Sequence, residues 1–221
     1  MKSLFKYILL IAVFMTNSIY GQVYTYKKKE NGKEVFHRIL MDENYYVETQ
    51  FSKNPNQFIK SVGGYFKKNK EGIIVDLEFN SNFSKDSIKS ISISNMLNWN
   101  KISKKSSLLE GKWLMAGRVI GEIEKRRDIH RSRKTMKILI DGYFQWIAFN
   151  KANFKFSGTG GGSYNAENGV YIETIDYFSR DNSKVGISLD FKYFRKNNDW
   201  YHSGFSSKGD PLHEIWTSRN E

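Results

Sequence analysis

Residues 155–169 read KFSGTGGGSYNAENG, and four of the five positions from 158 to 162 are glycine. A phosphate-binding loop would place such glycines between a strand and a helix and would continue with a lysine and a serine or threonine. No such pair follows here, and the next apolar run, VYIETIDYF, is typical of a strand. Glycine inside a strand marks a bend, a bulge or a close approach by another group. We therefore predict a sharply curved strand rather than a nucleotide site.

The glycines also point to an internal repeat. At an offset of 98 residues, Gly63-Gly64 corresponds to Gly161-Gly162, and Glu78-Phe79 corresponds to Asp176-Tyr177. The same offset holds, with one slip of a single residue, from position 44 to position 81. A fixed offset over this length indicates a duplication.

The two copies differ in length. Only 18 residues separate Ser81 from Trp99, whereas 37 residues separate Ser179 from Trp216. We predict that the first copy has lost about one hairpin and depends on the second. The boundary is expected in the polar segment 101–107, which gives a degenerate N-terminal domain at 22–104 and a complete domain at 105–221.

The second copy reads as eight short strands joined by turns. Strands at this spacing predict an all-β barrel or sandwich, and connections this short favour an up-and-down antiparallel barrel, since parallel pairs need long crossovers. An alternative is a single barrel of ten to twelve strands made from both copies. The predicted strands are 111–119, 135–140, 143–150, 154–164, 170–179, 183–194, 200–205 and 212–218.

The first 21 residues have the layout of a secretory signal peptide. Lys2 and Lys6 precede an apolar run at 7–15, and a polar segment then leads to the small residue Gly21. We expect cleavage after Gly21 and a periplasmic or secreted protein. The alternative is a buried or membrane-anchoring N-terminal segment.

Composition restricts the classes of partner and chemistry. The formal net charge of +12 favours anionic partners, but export argues against nucleic acid. The chain has no cysteine, which excludes disulfides and cysteine catalysis. His202 and His213 have no evident third partner, so we predict no metal site and no cofactor. The sequence leaves the oligomeric state open.

A family resemblance begins at Leu109-Glu110-Gly111-Lys112-Trp113. Gly-x-Trp on a first strand resembles the opening motif of the lipocalins and related calycins, and the chain is similar to exported proteins with lipocalin-like domains, some of them in tandem. The likeness covers 109–219 well and 22–102 loosely. In that family the tryptophan packs on a basic residue just after the last strand, which implies that Arg219 contacts Trp113. The residues expected to be structural are Gly111, Trp113, Gly161, Gly162, Trp216 and Arg219.

The resemblance and the strand pattern together suggest that the second barrel binds a small apolar or anionic amphipathic ligand without catalysis. On the fifth predicted strand Glu173 and Tyr177 share a face, because side chains alternate along a strand. The run 125–134 carries six lysines and arginines and is expected in a long loop at the barrel mouth. The predicted lining is Trp146, Glu173, Tyr177, Trp200 and His202, and the predicted mouth residues are Arg126, Arg131 and Arg133.

Two other functions stay open. A filled barrel would fit an interaction or structural protein of the cell envelope, with the basic segment as its working surface. An isomerase or hydrolase on the same barrel would need a polar cluster inside it, for which Glu173 and His202 are the candidates.

Overall fold

The computed structural model describes residues 21–219, so the predicted signal peptide lies, apart from Gly21, outside the described residues. The described chain forms two antiparallel β-sheets, one from each copy. Its helices are a single turn, α1 (Phe83–Asp86), and a 3-10 turn at Asn182–Lys184. Between residues 21 and 219, no helix has the length and apolar character needed to cross a membrane.

The first copy is a seven-stranded open sheet with the order β6-β5-β4-β3-β2-β1-β7. Tight turns join β1 to β5 in sequence, the segment 81–89 with α1 joins β5 to β6, and the segment 94–99 connects the two edge strands β6 and β7. The strands are β1 (Gln22–Glu30), β2 (Lys33–Met41), β3 (Tyr45–Lys53), β4 (Asn56–Asn69), β5 (Gly72–Asn80), β6 (Ser90–Ile93) and β7 (Asn100–Ile102).

The second copy is a closed barrel of eight antiparallel strands in up-and-down order. Strands β10 to β16 and β8 are neighbours in sequence around the sheet, and β10 also pairs with β8, which closes the barrel. The short β9 forms a hairpin with the far end of β8. The strands are β8 (Gly111–Ile120), β9 (Ile123–Arg126), β10 (Arg133–Ile140), β11 (Tyr143–Asn150), β12 (Lys155–Glu167), β13 (Val170–Phe178), β14 (Ser188–Lys196), β15 (Asp199–Phe205) and β16 (Pro211–Ser218).

The all-β, up-and-down prediction is confirmed, and the alternative of one barrel built from both copies is wrong. The basic segment 125–134 is also less of a loop than expected, because it starts in β9 and ends in β10.

The two copies share their irregularities, which is strong evidence for the duplication. A bulge between Gly63 and Gly64 recurs between Gly161 and Gly162 at the offset of 98. The amide of Leu77 donates to the carbonyl of Lys89 at 2.9 Å, and the equivalent Ile175 donates to Ile187 at 3.0 Å. Bulges are typically retained as specific features of a fold.

The glycines at these bulges are required by the neighbouring backbone. A Cβ on Gly64 would lie 1.9 Å from the carbonyl oxygen of Asp76, and one on Gly162 would lie 1.9 Å from that of Thr174. The curved strand predicted for 155–169 is therefore present as β12, and the glycines allow close approach of β13.

The first copy lacks one strand. In the second copy β15 lies between β14 and β16, whereas in the first copy β6 leads through 94–99 directly to β7. Strand β7 pairs only with residues 23–25 of β1, so residues 26–30 pair with β2 alone. The first sheet consequently stays open where the second is closed.

The two sheets are joined by a shared hydrophobic cluster. Outward-facing residues of β10 and β11 pack on the first sheet in one buried group: Val23, Leu40, Tyr45, Val47, Phe79, Leu114, Met136, Ile138, Ile140, Tyr143, Ile147 and Phe149. The buried amide of Gln145 is hydrogen-bonded to Thr49 and Ser61 of the first copy at 3.1 and 3.0 Å.

Two ion pairs connect the copies in a related way. Glu78 and Asp176 are equivalent at the offset of 98, and each pairs with an arginine of the other copy. Arg219 contacts Glu78 at 2.9 Å, and Arg38 contacts Asp176 at 2.5 Å. The copies are thus packed as one unit, with both apolar and charged contacts between them.

Candidate functional site

The interior of the second barrel contains Glu173 as part of a buried ion pair. Its Oε1 accepts hydrogen bonds from Lys137 Nζ at 2.6 Å and from the Tyr171 hydroxyl at 2.7 Å. The ammonium group also lies 5.1–5.9 Å from the centroids of four rings: Phe144, Tyr171, Trp200 and Trp216. The carboxylate is therefore neutralised by the protein's own lysine inside an aromatic box.

His202 belongs to a second buried pair in the same interior. Its Nε2 lies 3.0 Å from Oε2 of Glu214, which also accepts from Trp216 Nε1 at 3.2 Å. Burial lowers the pKa of His202, although the hydrogen bond to Glu214 opposes this. Burial also opposes ionisation of Glu214, but the hydrogen bond from His202 and the nearby lysine and arginine charges hold the pKa of that carboxyl below its usual value. At neutral pH a neutral imidazole thus donates to a carboxylate.

The predicted lining residues do not all face the same space. Trp200 is fully buried in the barrel and lies edge-on to Trp113 at 5.7 Å. Trp146 is half-buried between Phe178 and the guanidinium of Arg180. Trp113, Trp146 and Trp200 belong to one hydrophobic cluster, so large side chains occupy the interior of the second barrel.

Tyr177 faces the first copy and not the barrel interior. Its ring lies 5.0 Å from Phe51, and its hydroxyl donates to Gln145 at 2.9 Å. Side chains do not alternate strictly along β13, because Gly161 pairs with Tyr177 and Gly162 pairs with Ile175. The residue between them, Asp176, has no partner position on β12 and forms a β-bulge.

The predicted mouth residues are arranged unevenly. The guanidinium of Arg126 is bound by Asp199 at 2.8 Å, by Glu124 at 2.7 Å and by the Tyr201 hydroxyl at 2.8 Å. Arg131 and Arg133 are exposed. Arg126 is therefore already neutralised by acidic neighbours, and Arg131 has a longer contact of 3.9 Å with Asp128.

The arginine that lies over Trp113 is Arg195 and not Arg219, which the family resemblance implied. Trp113 and Trp216 both lie in the buried core of the barrel, and the guanidinium of Arg195 lies over Trp113 at 4.7 Å. The Arg219 guanidinium instead pairs with Glu78 and lies over Tyr45 and Tyr65 of the first copy. Arg219 is structural, but it joins the two copies.

Two cavities lie among the described residues of the open first copy. The first has a volume of about 490 Å³ and lies beside the β2–β3 and β4–β5 turns. Its apolar walls are Tyr24, Met41, Phe66, Ile73 and Met96, and its polar margin is Gln22, Asp42, Glu43, Lys68 and Asn69.

The second cavity, of about 390 Å³, lies where the first copy lacks a strand. Residues 26–28 of β1 bound it on one side, and the end of β6 with the segment 94–99 bounds it on the other. Its aromatic walls are Tyr26, Tyr46 and Trp99, and Glu48 also lines it.

Glu48 is the centre of a polar cluster at this cavity. Its Oε1 lies 2.6 Å from Nδ1 of His37 and accepts from the Tyr26 hydroxyl at 3.0 Å, and its Oε2 accepts from the Tyr46 hydroxyl at 2.6 Å. Burial opposes ionisation, but these hydrogen bonds hold the pKa of Glu48 below its usual value. Burial and the adjacent carboxylate raise the pKa of both tyrosines. The tyrosines therefore act as donors to an ionised Glu48.

Sequence reasoning missed this site because it placed the ligand in the complete copy. The signal was present in the short interval from Ser81 to Trp99, which predicted a lost hairpin. Without that hairpin the first copy is open between β6 and β7, and Trp99 lies at the edge of this opening. Within residues 21–219, no three histidine, aspartate or glutamate side chains are arranged to hold a metal ion.

Comparison with known proteins identifies no relative: neither a protein-family model nor a curated protein matches this chain.

Proposed function

We propose that this is an exported, non-enzymatic binding protein with lipocalin-like copies, and that it binds a small amphipathic molecule in the open first copy. The observation that carries the proposal is the pair of cavities of about 490 and 390 Å³ in that copy. Their sizes fall in the range of small-molecule sites, which is ~300–1,000 Å³. Apolar walls with a few polar groups at the margin suit a molecule with one apolar and one polar end.

The filled interior of the second barrel supports this choice of copy. Its aromatic side chains pack on the Lys137–Glu173 and His202–Glu214 pairs. A ligand there would have to displace buried ion pairs, and separating such partners is costly. In this proposal the second barrel is a rigid support for the first.

Mass spectrometry of small molecules retained by the purified full chain tests the proposal. We expect a retained molecule whose amount falls sharply in Met96→Trp, because the larger side chain occupies the first cavity. Leu108→Trp is the matched control, since Leu108 is exposed and its substitution should leave retention unchanged. Equal retention by wild type and Met96→Trp would place the ligand elsewhere and contradict the proposal.

A second candidate, an envelope-surface protein, is favoured by the β8–β9 hairpin. Ile120 and Ile123 are 55% and 66% exposed at its tip, beside the basic residues Arg118 and Lys125. An apolar tip with basic neighbours suits an anionic lipid surface. Co-sedimentation with phosphatidylglycerol vesicles that is lost in Ile123→Ser would favour this function, and no sedimentation by wild type would exclude it.

A further inference from the structure

The second cavity is lined by a buried carboxylate that no lysine or arginine of the described residues contacts. Glu48 is 12% exposed, and its one ion-pair partner in the described part of the chain is His37. Three other carboxylates of similar burial each contact a lysine or arginine: Glu78 contacts Arg219, Glu173 contacts Lys137 and Glu214 contacts Arg118. In the described part of the chain Glu48 therefore has a histidine, and no lysine or arginine, as its ion-pair partner.

The repeat shows that the two interiors place their polar groups differently. At the offset of 98, Lys137 and Glu173 of the second copy correspond to Ile39 and Val75 of the first. Both residues lie in the apolar core of that copy. The first copy thus has no counterpart of the Lys137–Glu173 pair and carries its interior carboxylate, Glu48, at the position equivalent to Trp146.

Aromatic faces surround the position next to Glu48. The rings of Tyr26 and Trp99 are nearly parallel, at 3°, with centroids 6.4 Å apart, and Tyr46 lies 6.4 Å from Trp99. Aromatic faces attract cations through the ring quadrupole, and tryptophan does so most strongly. Aromatic walls with an adjacent carboxylate are typical of sites that bind an organic ammonium group.

The rim of the same cavity has the opposite charge. Lys27 and Lys28 line it together with the amides of Asn95 and Asn98. The Lys28 ammonium lies 5.5 Å from the Tyr26 centroid, where it contacts one of the walls. A bare cation would be repelled by these lysines, whereas a molecule that also carries an anionic group would be attracted by them.

We infer that the cavity between β1, β6 and the segment 94–99 binds a small zwitterion, with its ammonium group against the aromatic walls formed by Tyr26, Tyr46 and Trp99 near Glu48 and its anionic group at Lys27 and Lys28. This inference rests on the proposed function and names the ligand class for one of its two cavities. Free zwitterions and zwitterionic lipid headgroups share this chemistry.

Titration of the full chain with phosphocholine and with glycine betaine tests the inference. Trp99 is the one tryptophan of the first copy, so its indole N–H signal in an NMR spectrum, assigned with Trp99→Phe, reports on the cavity. We expect both probes to shift that signal, and we expect choline, which lacks the anionic group, to bind several-fold more weakly than phosphocholine.

Three variants and one control make the test specific. Glu48→Gln should weaken phosphocholine binding at least tenfold, and Trp99→Leu should also weaken it. Glu71→Gln is the matched control, because Glu71 is an exposed carboxylate in the turn between β4 and β5 and does not line the cavity. Lys28→Gln should reduce the preference for phosphocholine over choline. Thermal unfolding of each variant verifies that the fold is retained.

The outcomes separate this inference from the proposed function. Undisturbed Trp99 signals with both probes, or wild-type affinity in Glu48→Gln and Trp99→Leu, would overturn the inference. A molecule still retained by wild type and lost in Met96→Trp would then leave the proposed function standing. Phosphocholine binding without retention on phosphatidylcholine vesicles supports a free zwitterion, and binding with retention supports a lipid headgroup.

Discussion

At the scale of single residues, the two interiors differ most in how their carboxylates are neutralised. Lys137 is bound by Glu173 at 2.6 Å in the second copy, whereas Ile39 takes the equivalent place in the first. Burying a charge without a partner is costly, so the pairs of the second copy suit a permanent core. Glu48, whose ion-pair partner is a histidine and not a lysine or arginine, suits a cavity that receives a cation from outside.

His202 should make stability depend on pH. Its pKa is lowered in the folded protein, so the unfolded chain binds the proton more readily, and folding stability is present above about pH 6.5 and is lost as the pH falls. The loss is about 1.4 kcal/mol for each unit of pKa difference. Glu214, whose pKa is also lowered, adds to the loss at lower pH.

The measurement is the free energy of unfolding by urea at pH 7.5 and pH 5.5. His202→Gln keeps a donor for Glu214 but cannot be protonated, so its stability should change less between the two pH values than that of wild type. His213→Gln, at a half-buried histidine, should behave as wild type. An unchanged pH dependence in His202→Gln would refute the role of this imidazole.

At the scale of strands, the paired bulges determine which side chains face which space. The bulge at Gly161 and Gly162 sends Tyr177 to the first copy while Glu173 stays in the barrel. The equivalent bulge at Gly63 and Gly64 brings Phe79 into the cluster between the sheets. Each bulge therefore separates an interior part of its strand from a part that joins the copies.

Substitution at the bulge should damage the fold rather than a particular activity. In Gly162→Ala the new Cβ would meet the carbonyl oxygen of Thr174 at 1.9 Å, so the two strands must separate. We expect a loss of more than about 2 kcal/mol in the free energy of unfolding, which is a large effect for one substitution. Ser163→Ala, one position along β12, is the control, and similar stabilities for the two variants would contradict the argument.

At the scale of the whole molecule, the second barrel is closed, but part of its outer surface is apolar and is covered by the first copy. The outward faces of β10 and β11 carry buried apolar residues such as Met136, Ile138 and Ile147, which contact the first sheet. The ion pairs Arg38–Asp176 and Arg219–Glu78 join the same two surfaces. The copies are thus mutually dependent, although each forms its own sheet.

The fragment 105–221 should therefore be poorly soluble on its own. Removal of the first copy exposes a contiguous apolar patch, and such patches promote aggregation. Size-exclusion chromatography should show aggregated fragment, and coexpression with residues 22–104 should restore a soluble complex. A monodisperse, folded fragment 105–221 would show that the interface is dispensable.

Much of the fold was predictable because it depends on local signals. Period-two alternation and tight turns indicated the strands of the barrel, and the recurrence of Gly63-Gly64 as Gly161-Gly162 indicated the repeat. The candidate site was harder to predict, because the ligand was expected in the second copy. Glu173 and His202 were predicted to line a ligand cavity there, but each is held by a partner, Lys137 or Glu214, that only strand pairing in the barrel brings close.

The sequence by itself determined that the chain is an up-and-down β protein, duplicated, with a shortened first copy, since these properties follow from periodicity, turn residues and a constant offset. Only the tertiary structure decided how the interiors of the two copies are filled. That difference depends on long-range facts: the Lys137–Glu173 and His202–Glu214 pairs lie among aromatic side chains in one interior, and an absent strand in the other copy leaves a cavity that Glu48 and Trp99 line. Burial and charge compensation are properties of neighbours in space, and a linear pattern of residues does not specify them.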